Sequence, residues 1–280
     1  MSYLTAVILG LVQGVAEFLP ISSSGHLSIL QHFMGLTNVE QNYLLFDVLL
    51  HLGTLISIFV VYFHDIIALV KEFVALVSDL VSPSGKRQKM VTPNDRMILM
   101  LVVATLPLLL ILPVKEKIES LYSNLWFVGG ALLVTGILLF ISDRMSHGRK
   151  TDRNGTMLDS LLVGVGQALA VAPGLSRSGT TIAVGMMRGF DRNFAVRFSF
   201  LLSVPAVLGA NLISLVDAIK AGTDASLIPM YLVGMVVAAV SGYFAISLVK
   251  LLAQKGKFGV FAYYCWIVGA LTIFSTAIAM

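Results

Sequence analysis

Residues 10–27 (GLVQGVAEFLPISSSGHL) and residues 164–181 (GVGQALAVAPGLSRSGTT) are two copies of one segment, and this repetition constrains the fold more than any other feature. Laid over each other without a gap, they agree at six of eighteen positions: Gly10/Gly164, Gln13/Gln167, Ala16/Ala170, Ser22/Ser176, Ser24/Ser178 and Gly25/Gly179. Each copy is an apolar arm broken by Pro20 or by Pro173–Gly174 into a Ser-rich turn. The copies differ in their chemistry. Glu17 and His26 belong to the first, Arg177 and Thr181 to the second, so the two look like halves of one site.

Composition sets the solvent. With a mean hydropathy of +0.90, 57% hydrophobic and 12% charged residues, the chain has too little polar surface to cover itself in water and reads as an integral membrane protein. The start, MSYLTAVILG, has no basic n-region and no A-x-A-like site, so a cleaved signal peptide is not expected. The single cysteine, Cys265, cannot form an internal disulfide.

A crossing helix takes roughly 17–25 residues. Six apolar segments qualify, at about 43–64, 96–114, 124–142, 196–217, 228–250 and 258–279. The duplicated segments do not qualify, because their arms are short. Their Pro and Gly breaks free backbone groups that lipid cannot satisfy, which is tolerated only inside protein or beside a wet cavity. They are expected to be re-entrant helical hairpins. Each half then holds one hairpin and three spans, and an odd number of spans inverts the second copy. The expected fold is an all-α integral membrane protein, a single domain over 1–280 with inverted-repeat halves at about 1–145 and 155–280.

Basic residues give an independent orientation. Lys71, Lys86, Arg87, Lys89 and Arg96 precede the second span, and Arg144, Arg149, Lys150 and Arg153 follow the third. Arg188, Arg192 and Arg197 precede the fourth, and Lys250, Lys255 and Lys257 precede the last. All fall on one side, against Lys115, Lys117 and Lys220 on the other, a bias of 15 to 3. The positive-inside rule makes the rich side cytoplasmic and puts both termini outside. The first hairpin is then expected to enter from the outer face, with its site open to the periplasm or cell exterior.

Arg177 is the one basic residue left over, and it lies within a hairpin. A charge at membrane depth costs at least about 2.5–3.5 kcal/mol, so Arg177, Glu17, Asp47, His26 and His51 need partners or water. Gln13 and Glu17 are one helical turn apart and share a face. Ser22, Ser23, Ser24 and Gly25 follow Pro20 and are expected to form a turn leading into a second short helix, and the second copy supplies Ser176, Arg177, Ser178, Gly179 and Thr181 in the same place. Hydroxyls and free N–H groups at two helix N-termini, joined by a guanidinium, suit a phosphate or pyrophosphate. Ser23 with His26 as its general base is the preferred catalytic reading, and direct attack by His26 stays open.

The Gln13-x-x-x-Glu17 pair, the Phe18–His26 stretch FLPISSSGH, the later FDVLLHLGT and the Pro173–Thr181 stretch PGLSRSGTT resemble the signature regions of the undecaprenyl-pyrophosphate phosphatases, also called bacitracin-resistance proteins. The likeness covers essentially the whole chain. It implies hydrolysis of a polyprenyl pyrophosphate lipid to the monophosphate in the bacterial cytoplasmic membrane, recycling a carrier for cell-wall synthesis. It also implies a divalent cation, Mg or Ca, at the acidic motif (Glu17), with phosphate bound by the Ser/His and Ser-Arg-Ser stretches. Many members carry Glu where this chain has Gln13, and a neutral amide is the weaker metal ligand.

Blander readings apply elsewhere. Ser57, Ser214 and Ser247 are expected to bond carbonyls one turn back or on a neighbouring helix. Asp47 and His51 are expected to satisfy each other, and His32 and His64 to sit near span ends. No nucleic-acid motif is present, and the basic loops are explained by topology. A homodimer is compatible with such a chain, although nothing in the sequence fixes the oligomeric state. The competing function is a polyprenyl-phosphate flippase or transporter, since broken helices in inverted repeats also build carriers. A carrier needs the anion grip but no nucleophile.

Overall fold

The computed structural model describes residues 2–35, 44–81, 92–145, 147–221 and 224–278. All regular structure among them is helical. The linker residues Lys86, Arg87 and Lys89 lie outside the described residues.

The duplicated segments each form a pair of short helices. The first pair is α1 (Tyr3–Phe18) and α2 (Ser23–Phe33). Next come α3 (Leu44–Val61), α4 (Phe63–Val81), α5 (Pro93–Thr105), the short α6 (Lys115–Glu119) and α7 (Leu125–Met145). The second pair is α8 (Met157–Leu169) and α9 (Arg177–Met187). The chain closes with α10 (Arg192–Ala221), α11 (Ile228–Gln254) and α12 (Gly259–Ile278). Among the described residues, six stretches are long and apolar enough to cross a membrane: Leu44–Val61, Pro93–Ile118, Leu125–Met145, Arg192–Lys220, Ile228–Gln254 and Gly259–Ile278. These are the six expected from the sequence.

Two details differ from that reading. The first span ends at Val61, and after Tyr62 the chain resumes as α4, a helix within what the sequence reads as the connection to the second span. The second span loses its α-helical form at Leu106 and continues as 3-10 turns over Leu106–Leu110 and Leu112–Val114. Pro107 and Pro113 lie in those turns, and each removes an N–H that an α-helix would need.

Packing is reciprocal. α1 lies along α11, α8 lies along α5, and α7 packs on α12. The duplicated glycines make the first two contacts possible. A Cβ at Gly10 would come 2.5 Å from the Gly234 carbonyl oxygen on α11. One at Gly164 would collide with the Ala104 carbonyl on α5. A side chain at either position would force the helices apart.

Charge follows the same economy. Thr92 and Asp95 form a capping box on α5, and Thr156 and Asp159 form one on α8. The buried Asp159 carboxylate also takes Lys150 at 2.8 Å and Arg188 at 2.9 Å. Burial opposes its ionisation, yet Lys150, the Thr156 cap and Arg188 outweigh burial and hold the carboxyl down at about 2. Arg197 pairs with Asp65 at 2.6 Å, and Arg192 with Asp143 at 3.1 Å. Ser57 bonds the Ala239 carbonyl at 2.6 Å and Ser247 the Tyr243 carbonyl at 3.0 Å, as expected of serines in apolar helices.

Candidate active site

The turns of the two short-helix pairs meet inside the bundle. The ideal Cβ of Gly25 would stand 3.0 Å from Gly174 Cα, and that of Gly179 would stand 3.2 Å from Pro20 Cβ. Across this junction the Ser178 hydroxyl donates to the Leu19 carbonyl at 3.3 Å. Both following helices are capped alike. Ser22 Oγ accepts from the Gly25 amide at 3.2 Å and lies 3.2 Å from Ser24 Oγ. Ser176 Oγ accepts from the Gly179 amide at 3.0 Å and lies 3.3 Å from Ser178 Oγ. These are N-caps that satisfy otherwise orphaned donors.

The turns take their left-handed torsion at different places: Gly174 has φ +88° without penalty, whereas in the first copy it falls two positions later in the repeat, on Ser22 at φ +73°, whose counterpart Ser176 has φ −72°. Ser22 is the only such non-glycine among the described residues. A side chain there costs about 1–3 kcal/mol. This bend delivers the next residue, Ser23, to the last turn of α1.

There Glu17 gathers the cluster. Its Oε2 accepts the Ser23 hydroxyl at 2.6 Å and Gln13 Nε2 at 3.1 Å. Its Oε1 is paired with Arg177 Nη2, so the acid of one copy and the guanidinium of the other do meet. Both charges are largely enclosed by protein, and each is the other's compensation.

His26 lies elsewhere than its proposed role as base requires. Nδ1 is 2.8 Å from the Ser22 carbonyl and Nε2 is 2.8 Å from the Tyr264 hydroxyl on α12. Neither nitrogen bonds Ser23, whose proton points instead at Glu17. The spacing that put His26 one turn past Ser22 aimed its Nδ1 back at that residue's carbonyl. Thr181 is likewise engaged, bonding the Arg177 carbonyl at 2.9 Å, the Ser178 carbonyl at 3.2 Å and Ser199 of α10 at 2.5 Å. Its hydroxyl braces α9 against α10. Asp47 and His51 form their expected pair, with 3.6 Å between Oδ2 and Nδ1.

Two residues at the junction went unread in the sequence. Tyr264 stands in the apolar run YYCW, with nothing to single it out. Thr135 on α7 donates to the Gly174 carbonyl and accepts from the Ser176 amide, both at 3.1 Å. It thereby fixes the turn that leads into Arg177. Thr135→Val keeps the shape and strands both backbone groups, at about 1–3 kcal/mol for an unsatisfied buried group. We expect a lower melting temperature in detergent and weaker substrate binding; an unchanged melting temperature would show that the turn holds itself.

The cation implied by the acidic motif can be tested against these residues. Gln13 Oε1 is buried without a hydrogen-bond partner and lies beside Glu17, a pair of oxygens that suits a hard cation. Among the described residues, no three His, Cys, Asp or Glu gather as a metal cluster. The set fits an ion that takes most of its ligands from phosphate oxygens and water, as Mg commonly does.

The fold and this junction together define a polytopic helical membrane protein with a charged, hydroxyl-rich centre. The chain belongs to the bacitracin resistance protein BacA family, whose model matches residues 6–271. It is 39% identical over 274 residues to the undecaprenyl-diphosphatase of Alkaliphilus metalliredigens, covering 98% of both chains. It is 41% identical over 273 residues to that of Methanosphaera stadtmanae, covering 96% of both. The Methanobrevibacter smithii undecaprenyl-diphosphatase is also 41% identical over 273 residues, covering 97% of this chain and 96% of the relative.

Proposed function

We propose that this protein is an undecaprenyl-diphosphatase, hydrolysing undecaprenyl pyrophosphate to undecaprenyl phosphate and inorganic phosphate, with bacitracin resistance as a consequence. The observation that carries the reading is the Ser23 hydroxyl held 2.6 Å from a carboxylate that Arg177 also grips. Ser23 Oγ attacks the terminal phosphorus while its proton passes to Glu17. The anhydride P–O bond breaks, and undecaprenyl phosphate leaves with the bonding pair. Water then attacks the phosphoserine phosphorus, the P–Oγ bond breaks, inorganic phosphate leaves, and Ser23 Oγ takes back the proton held by Glu17. Charge on the transferring group needs positioning and electrostatic support more than covalent help. Arg177 supplies that support, since a guanidinium has five donors and one carboxylate oxygen does not exhaust them. The cap serines Ser22 and Ser176 and their neighbours Ser24, Ser178 and Gly179 surround the phosphates with hydroxyls and helix N-termini.

Glu17 and Gln13 Oε1 would hold a divalent cation, which would neutralise phosphate charge. Phosphate release from detergent-solubilised protein tests the enzyme reading, because no compartments exist there for a carrier to use. EDTA is expected to abolish release and added Mg or Ca to restore it. Full activity in chelator would remove the metal from the mechanism, and no release under any condition would return the transporter reading.

The two short-helix pairs are read as re-entrant hairpins of an inverted repeat, with the single domain divided at about 145–155. Support comes from the reciprocal packing of α1 on α11 and α8 on α5 and from the 15-to-3 bias of basic residues. The site then faces the periplasm or cell exterior of the cytoplasmic membrane. An apolar groove of about 510 Å³ between α1 and α11 begins at Leu19, beside the junction, and is where we place part of the prenyl tail. On a Cys265→Ala background, an impermeant thiol reagent should label a cysteine at Ser2 in intact cells and leave one at Thr151 untouched. The opposite pattern would overturn the orientation.

A further inference from the structure

Tyr264 lies 238 positions from His26 in the chain, yet its hydroxyl is 2.8 Å from Nε2. The two rings lie nearly parallel, with centroids 5.6 Å apart and planes 12° from one another. The chemistry of the other ring nitrogen settles which atom carries the proton. Nδ1 faces the Ser22 carbonyl, which has no hydrogen to give, so Nδ1 must be the donor. In the neutral ring Nε2 is then an acceptor, and the hydroxyl of Tyr264 donates to it. Two hydrogen bonds and a stacked ring over-determine one imidazole, which is more than filling space requires.

The neighbouring residues separate the two roles that α12 plays here. Tyr263 packs on Phe140 and Trp266, with centroids 6.3 Å and 5.6 Å away, and serves the α7–α12 contact. Cys265 lies 3.7 Å from the Pro20 carbonyl and closes α12 against the first turn. Tyr264 alone of the three sends a polar group to a residue of the candidate site.

We propose that Tyr264 is a positioning residue for His26: its ring sets the imidazole plane, and its hydroxyl keeps the histidine proton on Nδ1 with Nε2 as the basic nitrogen. The assignment rests on the phosphatase reading. It implies that His26 acts by holding the Ser22 turn through Nδ1 and leaves the Ser23 proton to Glu17. Tyr264 touches no reacting atom.

Tyr264→Phe keeps the ring and the stacking and removes only the hydroxyl. The loss of one hydrogen bond is expected to lower kcat by up to about tenfold with KM changed by less than about twofold. Nitrogen NMR of histidine-labelled protein in detergent, with His26 assigned by the His26→Ala difference, gives an independent reading. An unprotonated ring nitrogen that accepts a hydrogen bond resonates upfield of one that does not. Nε2 of His26 should therefore move downfield in Tyr264→Phe. Adding Tyr264→Phe to His26→Ala should cost nothing further. An unmoved resonance, an unchanged kcat, or an additive loss in the double variant would overturn the proposal. Wild-type turnover in His26→Ala would instead overturn the histidine's part in the phosphatase reading, and this proposal with it.

Discussion

Ser23→Ala is expected to lower phosphate release by about three orders of magnitude or more while leaving substrate binding nearly intact. A nucleophile removed from a chemical step costs kcat and not affinity, and the charge that holds pyrophosphate belongs to Arg177. The geometry also says which residues form the unit with Ser23. Its hydroxyl bonds Glu17 and not His26, so Ser23→Ala with Glu17→Gln should be little worse than either alone. Ser23→Ala with His26→Ala should lose more than either. Single-turnover hydrolysis and equilibrium binding of the pyrophosphate lipid separate these outcomes. Near wild-type turnover in Ser23→Ala with a dead His26→Ala would refute attack by serine and favour attack by histidine, which trapping of phosphohistidine would establish.

That pairing could not be read from spacing. The sequence located the two turns because Pro20 and Pro173–Gly174 interrupt apolar arms, and backbone breaks are written in residue type. It placed Gln13 and Glu17 together because four residues make one helical turn. It located the six spans because hydropathy over some twenty residues averages away local detail. Side-chain direction at a turn has no such period. Ser22 at φ +73° swings Ser23 toward α1 and turns His26 toward α12, and no residue preference announces a serine in that region. Tyr264 and Thr135 were illegible for a related reason. Each stands in an apolar helix where a tyrosine or threonine ordinarily packs or bonds its own backbone, and only the tertiary fold brings a partner within reach. The helix after Tyr62 went unread because Asp65, Lys71 and Glu72 make its residues read as part of a polar connection between spans.

Removing one member of the Glu17–Arg177 pair should damage the fold and the chemistry together, and the two effects can be separated. Glu17→Gln leaves the guanidinium inside the bundle with its charge uncompensated, and breaking a buried pair this way costs about 3–5 kcal/mol. The water-facing share of Arg177, 24% of its side chain, argues for the lower end of that range. Glu17→Gln should therefore melt well below wild type in detergent and release no phosphate. Combining it with Arg177→Gln removes both charges and leaves two amides able to bond each other, so the melting temperature should recover most of the loss. Turnover should not recover, because the proton acceptor of Ser23 and the grip on the phosphates are both gone. Arg177→Lys offers a third comparison: the charge remains, the planar fork does not, and affinity should fall along with kcat. Thermal unfolding and phosphate release measured on the same four proteins decide the matter. A double variant that stays as unstable as Glu17→Gln would mean the pair is not what balances the charge at the junction. Wild-type turnover in any of the three would remove that residue from the site.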